Sequence, residues 1–288
     1  MDYSLESNIS TAIENLSEKN FQEFGEYLFK RLYGVDFQTV APHRDQGCDG
    51  ILNHQTVVAM YGPQNNRRQL STFKSKFSSD FRKYKDNWMG YYPEFMFVYN
   101  SIFTSSMRSY MNEVAGNIKT IGKDDLIMMI DRLSYPNKKD IVNFLRIPEE
   151  LFSMDVFEEV IRDLMNFETN SEEKQKISKP TYIVDKIKLN YDESEVEEVI
   201  NSYDNALPFI RELEEVLKLY PADENMVLKG KIIALYGEFS GPFKQRFTNI
   251  LRRLTTDRRS RDDIYEQYAR VVLLYMFELC IIGKKVKY

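Results

Sequence analysis

The residues best suited to chemistry lie in one short stretch, HRDQGCDGILNHQTVVAMYGPQ, residues 43–64. Two aspartates, Asp45 and Asp49, stand four positions apart in a glycine-rich turn, and a short apolar run, GIL, follows the second. A hydrolytic metal site on a sheet needs carboxylates at a strand end to hold Mg2+ or Mn2+, and a lysine or metal-bound water to deliver the nucleophile. Asp49 is placed for the first task, at the head of a strand, and the glycines beside it let backbone approach a phosphate. The same letters also spell an ordinary polar turn, because Asp and Gly both tolerate the backbone angles that turns require.

The elements that would position this stretch are read from hydrophobic periodicity. EKNFQEFGEYLFKRLYG sets Phe21, Phe24, Leu28 and Leu32 on one helical stripe and stops at Gly34. VDFQTV predicts a strand, GILN and TVVAMY a hairpin turning over residues 53–55, and EFMFVYN a further buried strand. Between the hairpin and that strand the spacing predicts a helix over residues 66–88, with Leu70, Phe73, Phe77, Phe81, Tyr84 and Trp88 three and four positions apart. A helix near 105–115, a short strand IKTI and a helix over 123–133 follow, giving the order α, β, β-hairpin, α, β, α. Residues 168–180, ETNSEEKQKISKP, are polar and lack aromatic residues, the composition of a linker. Beyond them ESEVEEVINSY, LPFIRELEEVLKLY, ENMVLKGKIIALYGEF, PFKQRFTNILRRL and DDIYEQYARVVLLYMFELCII predict separate helices. The expected organisation is an α/β domain over residues 1–150, a helix and polar linker over 151–180, and an all-helical domain over 181–288.

Bulk properties narrow the classes. A chain of 288 residues with 43% hydrophobic content buries a substantial core. The opening MDYSLESNIS has no apolar segment of the signal-peptide kind, and the longest apolar run, VVLLYMFELCII, is interrupted by Glu278, so a soluble, cytoplasmic protein is expected. Cys48 and Cys280 read as free thiols, and His43, Cys48 and His54 lack the spacing of a zinc site. GNIKTIGKDD looks like a phosphate-binding loop but has five residues between its glycines and Asp124 where a hydroxyl should hold Mg2+, which excludes an ATPase of that kind.

The net charge of -5 hides a segregation. Residues 67–88 carry seven basic side chains against two acidic ones, residues 181–240 six against thirteen, and residues 241–261 seven against one. Arg67, Arg68, Lys74, Lys76, Arg82, Lys83 and Lys85 in the first group would grip a phosphate backbone without reading bases. The aromatic stripe of that helix reads as core rather than as a stacking platform, because its spacing is strictly helical. Opposed charge blocks within the helical region favour docking to other proteins.

Taken together, the F-x-x-F helix, the D-x-G-x-D-G turn, the hairpin ending in Y-x-P, the basic aromatic helix with SDFRKYKDNW and the strand ending FVYN resemble the restriction-endonuclease-like domain of the PD-(D/E)XK superfamily. The domain so resembled is that found in effector proteins of bacterial three-component ABC-ATPase antiphage systems akin to Lamassu, and the likeness covers roughly residues 18–135; the segment beginning YIVDKIKLN looks like their C-terminal tethering domains. The resemblance implies a mixed sheet flanked by helices, a metal-dependent DNA endonuclease activity with Mg2+ or Mn2+, double-stranded DNA as substrate, and partners consisting of an SMC-like ABC ATPase and a small middle component. It also implies metal-binding roles for Asp49 and Asp45, with Glu23 or Glu26 of the first helix as a further ligand. A homo-oligomer on activation would let such a domain cut both strands.

At the second hairpin strand the sequence departs from that pattern. Where the superfamily carries Glu-x-Lys, Asp-x-Lys or Gln-x-Lys, this chain has Ala59-Met60-Tyr61. A methyl group cannot coordinate Mg2+ and a phenol cannot supply the ammonium. An active enzyme would need Lys74 or Lys76 to take the lysine's place, Glu26 to complete the metal shell and Tyr61 to position water or phosphate. Otherwise the chain is an inactive endonuclease-like module that binds DNA or docks the complex, or a scaffold without DNA contact.

Overall fold

The computed structural model describes residues 1–40, 46–63, 69–116, 118–168, 182–256 and 263–284. The chain divides into two compact units, one holding Tyr3–Leu133 and Asn137–Glu149, the other Ser134–Pro136 and Glu150–Tyr288. In the first unit helices α1 (Tyr3–Asn15) and α2 (Glu18–Tyr33) precede strands β1 (Phe37–Thr39), β2 (Gly50–Leu52) and β3 (Thr56–Tyr61). Then come α3 (Leu70–Asn87), β4 (Glu94–Tyr99), α4 (Ser105–Ala115), β5 (Lys119–Ile121), α5 (Lys123–Asp131) and α6 (Tyr135–Phe144).

The five strands form one sheet in sequence order, with β1, β2 and β3 antiparallel and β3, β4 and β5 parallel. The hairpin turns through Asn53 and His54, both at positive φ, the backbone that a tight hairpin with native twist demands. One of the two histidines therefore serves a turn. All six residues of β3 are buried, as expected of a strand paired on both sides and covered on both faces.

Alternation along β3 and β4 divides the two faces. Val57, Ala59, Tyr61, Phe95, Phe97 and Tyr99 join Phe73, Phe77 and Tyr84 of α3 and Met107 and Met111 of α4 in one core cluster. The stripe predicted on α3 is thus core along most of its length, with Phe81 and Trp88 partly buried against it. Phe73 and Phe77 meet Phe97 edge to face, at 5.9 and 5.2 Å between centroids, a geometry that adds to the stabilisation from burial. The other face is covered by α2, whose Gly25 abuts Met60 so closely that a Cβ there would lie 2.3 Å from the Met60 Sδ. α2 buries Phe21, Phe24, Leu28 and Phe29 and ends where Gly34 turns the chain, its N–H donating to the Lys30 carbonyl.

Helix α1 is absent from the expectations above, because its polar letters conceal a four-residue spacing. Leu5, Ile9 and Ile13 are all fully buried, and α1 packs against α5. Asn100, which closes the FVYN strand, donates from Nδ2 to the carbonyl of Leu16 at 2.7 Å, fastening the end of α1 to the sheet.

In the second unit, α7 (Glu149–Asn166), α8 (Ile183–Asn190), α9 (Val196–Leu219), α10 (Ala222–Glu238), α11 (Phe243–Thr256) and α12 (Asp263–Glu278) follow. The two segments expected as separate helices, ESEVEEVINSY and LPFIRELEEVLKLY, are one helix, α9, running through Pro208. Proline removes one N–H and disfavours a helix interior by about 3 kcal/mol. Burial of Tyr203 and Ala206 before it and of Ile210 and Leu213 after it, with α12 packed alongside, outweighs that cost. Basic residues of α11 find partners within the unit: Lys244 with Glu195, Arg253 with Glu238, and Arg246 over the Tyr236 ring. No helix among the described residues is long and apolar enough to cross a membrane.

Two glycines test this packing in opposite directions. A Cβ on Gly62 would stand 2.4 Å from the Phe21 Cβ, a backbone-anchored atom, whereas one on Gly230, inside α10, would meet nothing within 4 Å. Gly62→Ala is expected to lower unfolding stability by about 1–3 kcal/mol and Gly230→Ala to raise it by about 0.5–1 kcal/mol. Urea denaturation midpoints of the two variants check both signs.

Candidate functional site

Asp49 extends β2 backward by one residue. Its N–H donates to the Val58 carbonyl at 2.8 Å, and its Oδ2 accepts from the Met60 N–H at 2.6 Å. The carboxylate, partly exposed, therefore ties the head of β2 to the C-terminal end of β3. Gly47, just before it, has φ +82 and lies against α3: a Cβ there would be 3.0 Å from the Lys83 Cβ and 3.3 Å from the Asp80 carbonyl oxygen. Only glycine combines that backbone with that contact. Gly47 thus seats the DQGCDG turn on the basic helix, Gly50 lies against Phe37 of β1, and Cys48 fills the core beneath.

The two positions where the superfamily carries an acid and a lysine point into the aromatic core. Ala59 is 1% exposed and Tyr61 9%, and the Tyr61 ring stacks on Tyr99 at 5.9 Å and 17°. A carboxylate and an ammonium at these positions would have to be buried among Phe73, Phe97 and Tyr99. Tyr61 is thereby a packing residue on the face opposite α2, the helix that carries Glu26. Glu26 accepts a hydrogen bond from Gln22 at 3.1 Å, within its own helix.

The lysines offered as replacements are held elsewhere. Lys74 Nζ lies over the Tyr110 ring of α4 at 4.7 Å, and Lys76 Nζ donates to Asp80 Oδ1 at 2.7 Å. Two residues apart on a helix, they project in different directions. Asp80, the acid of the D-F step in SDFRKYKDNW, is buried: its spacing from Phe73, Phe77 and Tyr84 sets it on the inward stripe of α3. Arg82, Lys83 and Lys85 are exposed. Asp45, Arg67 and Arg68 lie outside the described residues.

A divalent cation needs several hard oxygen ligands in one place. Among the described residues no group of three or more His, Cys, Asp or Glu side chains is arranged to hold a metal ion. Among the described residues of the implied ligand set, Asp49 stands beside the Ala59 methyl and the buried Tyr61 phenol and Glu26 lies on a helix of the opposite face, so the described residues by themselves do not make a Mg2+ or Mn2+ site. Comparison with protein-family models, with curated proteins and with solved structures gives no match for this chain.

If Asp49 serves the hairpin, Asp49→Ala is expected to destabilise by about 1–3 kcal/mol through the orphaned Met60 N–H, and Asp49→Asn, which keeps an acceptor, by clearly less. Restoring the acid and lysine with Ala59→Glu and Tyr61→Lys is expected to cost more than about 3 kcal/mol, since both charges enter the core. Thermal unfolding of the variants measures each.

Proposed function

We propose that this chain is an endonuclease-like module that binds DNA without cutting it, working within a bacterial antiphage defence complex. The observation that carries this reading is the burial of Ala59 and Tyr61 in the aromatic core, which leaves no place for the acid and lysine that phosphodiester hydrolysis would use. The sequence motifs support the fold family, and a five-stranded mixed sheet flanked by helices is compatible with it. DNA would lie along Arg82, Lys83 and Lys85, contacts that supply affinity without sequence preference. The implied partners are an SMC-like ABC ATPase and a small middle component. They would engage the helical region, whose exposed acidic residues on α9 suit a basic surface.

A second reading has one observation in its favour: the Asp49 carboxylate, partly exposed at the head of a strand, sits where a metal-dependent nuclease would hold Mg2+ or Mn2+. In that case Asp45 and Glu26 would assist it, and a homo-oligomer would form on activation.

Plasmid cleavage separates the two. With Mg2+ or Mn2+, the protein alone and together with its neighbouring gene products, ATP and linear DNA is expected to leave supercoiled plasmid intact. Nicking that vanishes in Asp49→Asn would overturn the module reading in favour of the nuclease. For the binding role, reversing Arg82, Lys83 and Lys85 to Glu is expected to lower the salt slope of DNA affinity by about three. An unchanged affinity and slope would remove DNA from the account.

A further inference from the structure

The aromatic stripe of α3 is core along most of its length, and beside its C-terminal end, where Phe81 is only partly buried, a cavity opens. Phe81 and Tyr84 of α3, Met89 just beyond it, Phe95 of β4, and Ala115 and Ile118 on either side of the turn into β5 line a cavity of about 330 Å³. That volume lies at the small end of ligand sites, room for one compact group. Its rim is accessible: Met89 is 53% exposed and neighbouring Tyr91 80%.

The chemistry of the walls is specific. Most of the lining is apolar and aromatic, while one edge is polar, where Lys119 Nζ bonds Glu94 Oε2 at 2.6 Å and Thr56 donates to the same oxygen. Lys119 and then Thr56 hold the Glu94 carboxyl below its usual range, so this edge presents an ionised acceptor beside an ammonium donor. Tyr84, its phenol pushed up by burial, stays protonated and donates to the Tyr92 carbonyl. An apolar slot with donors and acceptors along one side suits a flat heterocycle with polar edges.

Cations alternate with these rings along a single helical turn. Phe81 and Tyr84 line the cavity, while Arg82 and Lys85 between and after them are exposed, and Lys85 Nζ lies 5.9 Å from the centre of the Phe81 ring. Interleaved aromatic and basic side chains are how proteins hold single-stranded nucleic acid, the rings taking bases and the cations the phosphates between them. In an intact duplex the base is stacked and out of reach.

We propose that this cavity takes one unstacked nucleobase, with the flanking phosphates on Arg82 and Lys85, so that the protein prefers single-stranded or distorted DNA to intact duplex. The proposal rests on the DNA-binding reading above, and it adds a base-dependent component that phosphate contacts alone cannot give.

The test is fluorescence anisotropy with the full chain at low salt and three probes: a thymidine strand, a strand of equal length with abasic spacers, and a duplex. The thymidine strand is expected to bind about tenfold tighter than the abasic one. Ala115→Trp, which fills the cavity without changing charge, is expected to abolish that ratio while duplex affinity and its salt slope stay as in the wild type. Ile118→Trp, filling from another wall, is expected to do the same. Equal affinity of the wild type for the base-bearing and abasic strands, with duplex binding intact, overturns the proposal alone and leaves the cavity to an apolar side chain of a protein partner. A ratio that survives both filling variants overturns it too, because the base then sits elsewhere. Absence of binding to every probe overturns this proposal and the DNA-binding reading together.

Discussion

The packing of α3 and α4 on one face of the sheet is the constraint from which most other features follow. Phe73, Phe77 and Tyr84 on the helix meet Ala59, Tyr61, Phe97 and Tyr99 on the two central strands, and each aromatic contact takes up space that a solvated cleft would otherwise occupy. Dense interiors admit few voids, so a ring at position 61 and a water-filled metal site at the same position exclude each other. The small Ala59 follows from the same crowding, since its strand partner in register is Phe97. The core on this face and the small or aromatic character of positions 59 and 61 are thus two descriptions of one arrangement.

The opposite face obeys a different rule. There α2 approaches β3 so closely that Gly25 and Gly62 are needed where Met60 and Phe21 intrude. One face of the sheet is covered by the rings of α3 and the other by α2, where glycines make room for Met60 and Phe21, and β3 is buried by both.

Much of the fold was legible in the sequence, because strong periodicity and turn residues act locally. The α3 stripe, the hairpin over 53–55, the stop at Gly34 and the helix, strand and helix after EFMFVYN all emerged from spacing. The failures have physical causes. Helix α1 was hidden because three buried residues in thirteen leave its letters mostly polar. α9 was divided at Pro208 because propensity cannot see the tertiary packing that carries a helix through a proline. For the site, the sequence showed that Ala59 and Tyr61 break the motif, but only the sheet register revealed that both face the aromatic cluster. Lys74 and Lys76 seemed interchangeable as letters, and one lies over Tyr110 while the other bonds Asp80. Direction in space is what a one-dimensional pattern withholds.

The contact between Gly47 and the backbone of α3 has a mechanical meaning. With no side chain as a cushion, the turn that carries Asp49 rests directly on the helix that carries Arg82 and Lys83. The same turn is tied on its other side, through the Asp49 carboxylate and the Met60 N–H, to the C-terminal end of β3. The exposed cations of α3 and the middle strand of the sheet are therefore joined through two short contacts, Gly47 against the helix and Asp49 to Met60.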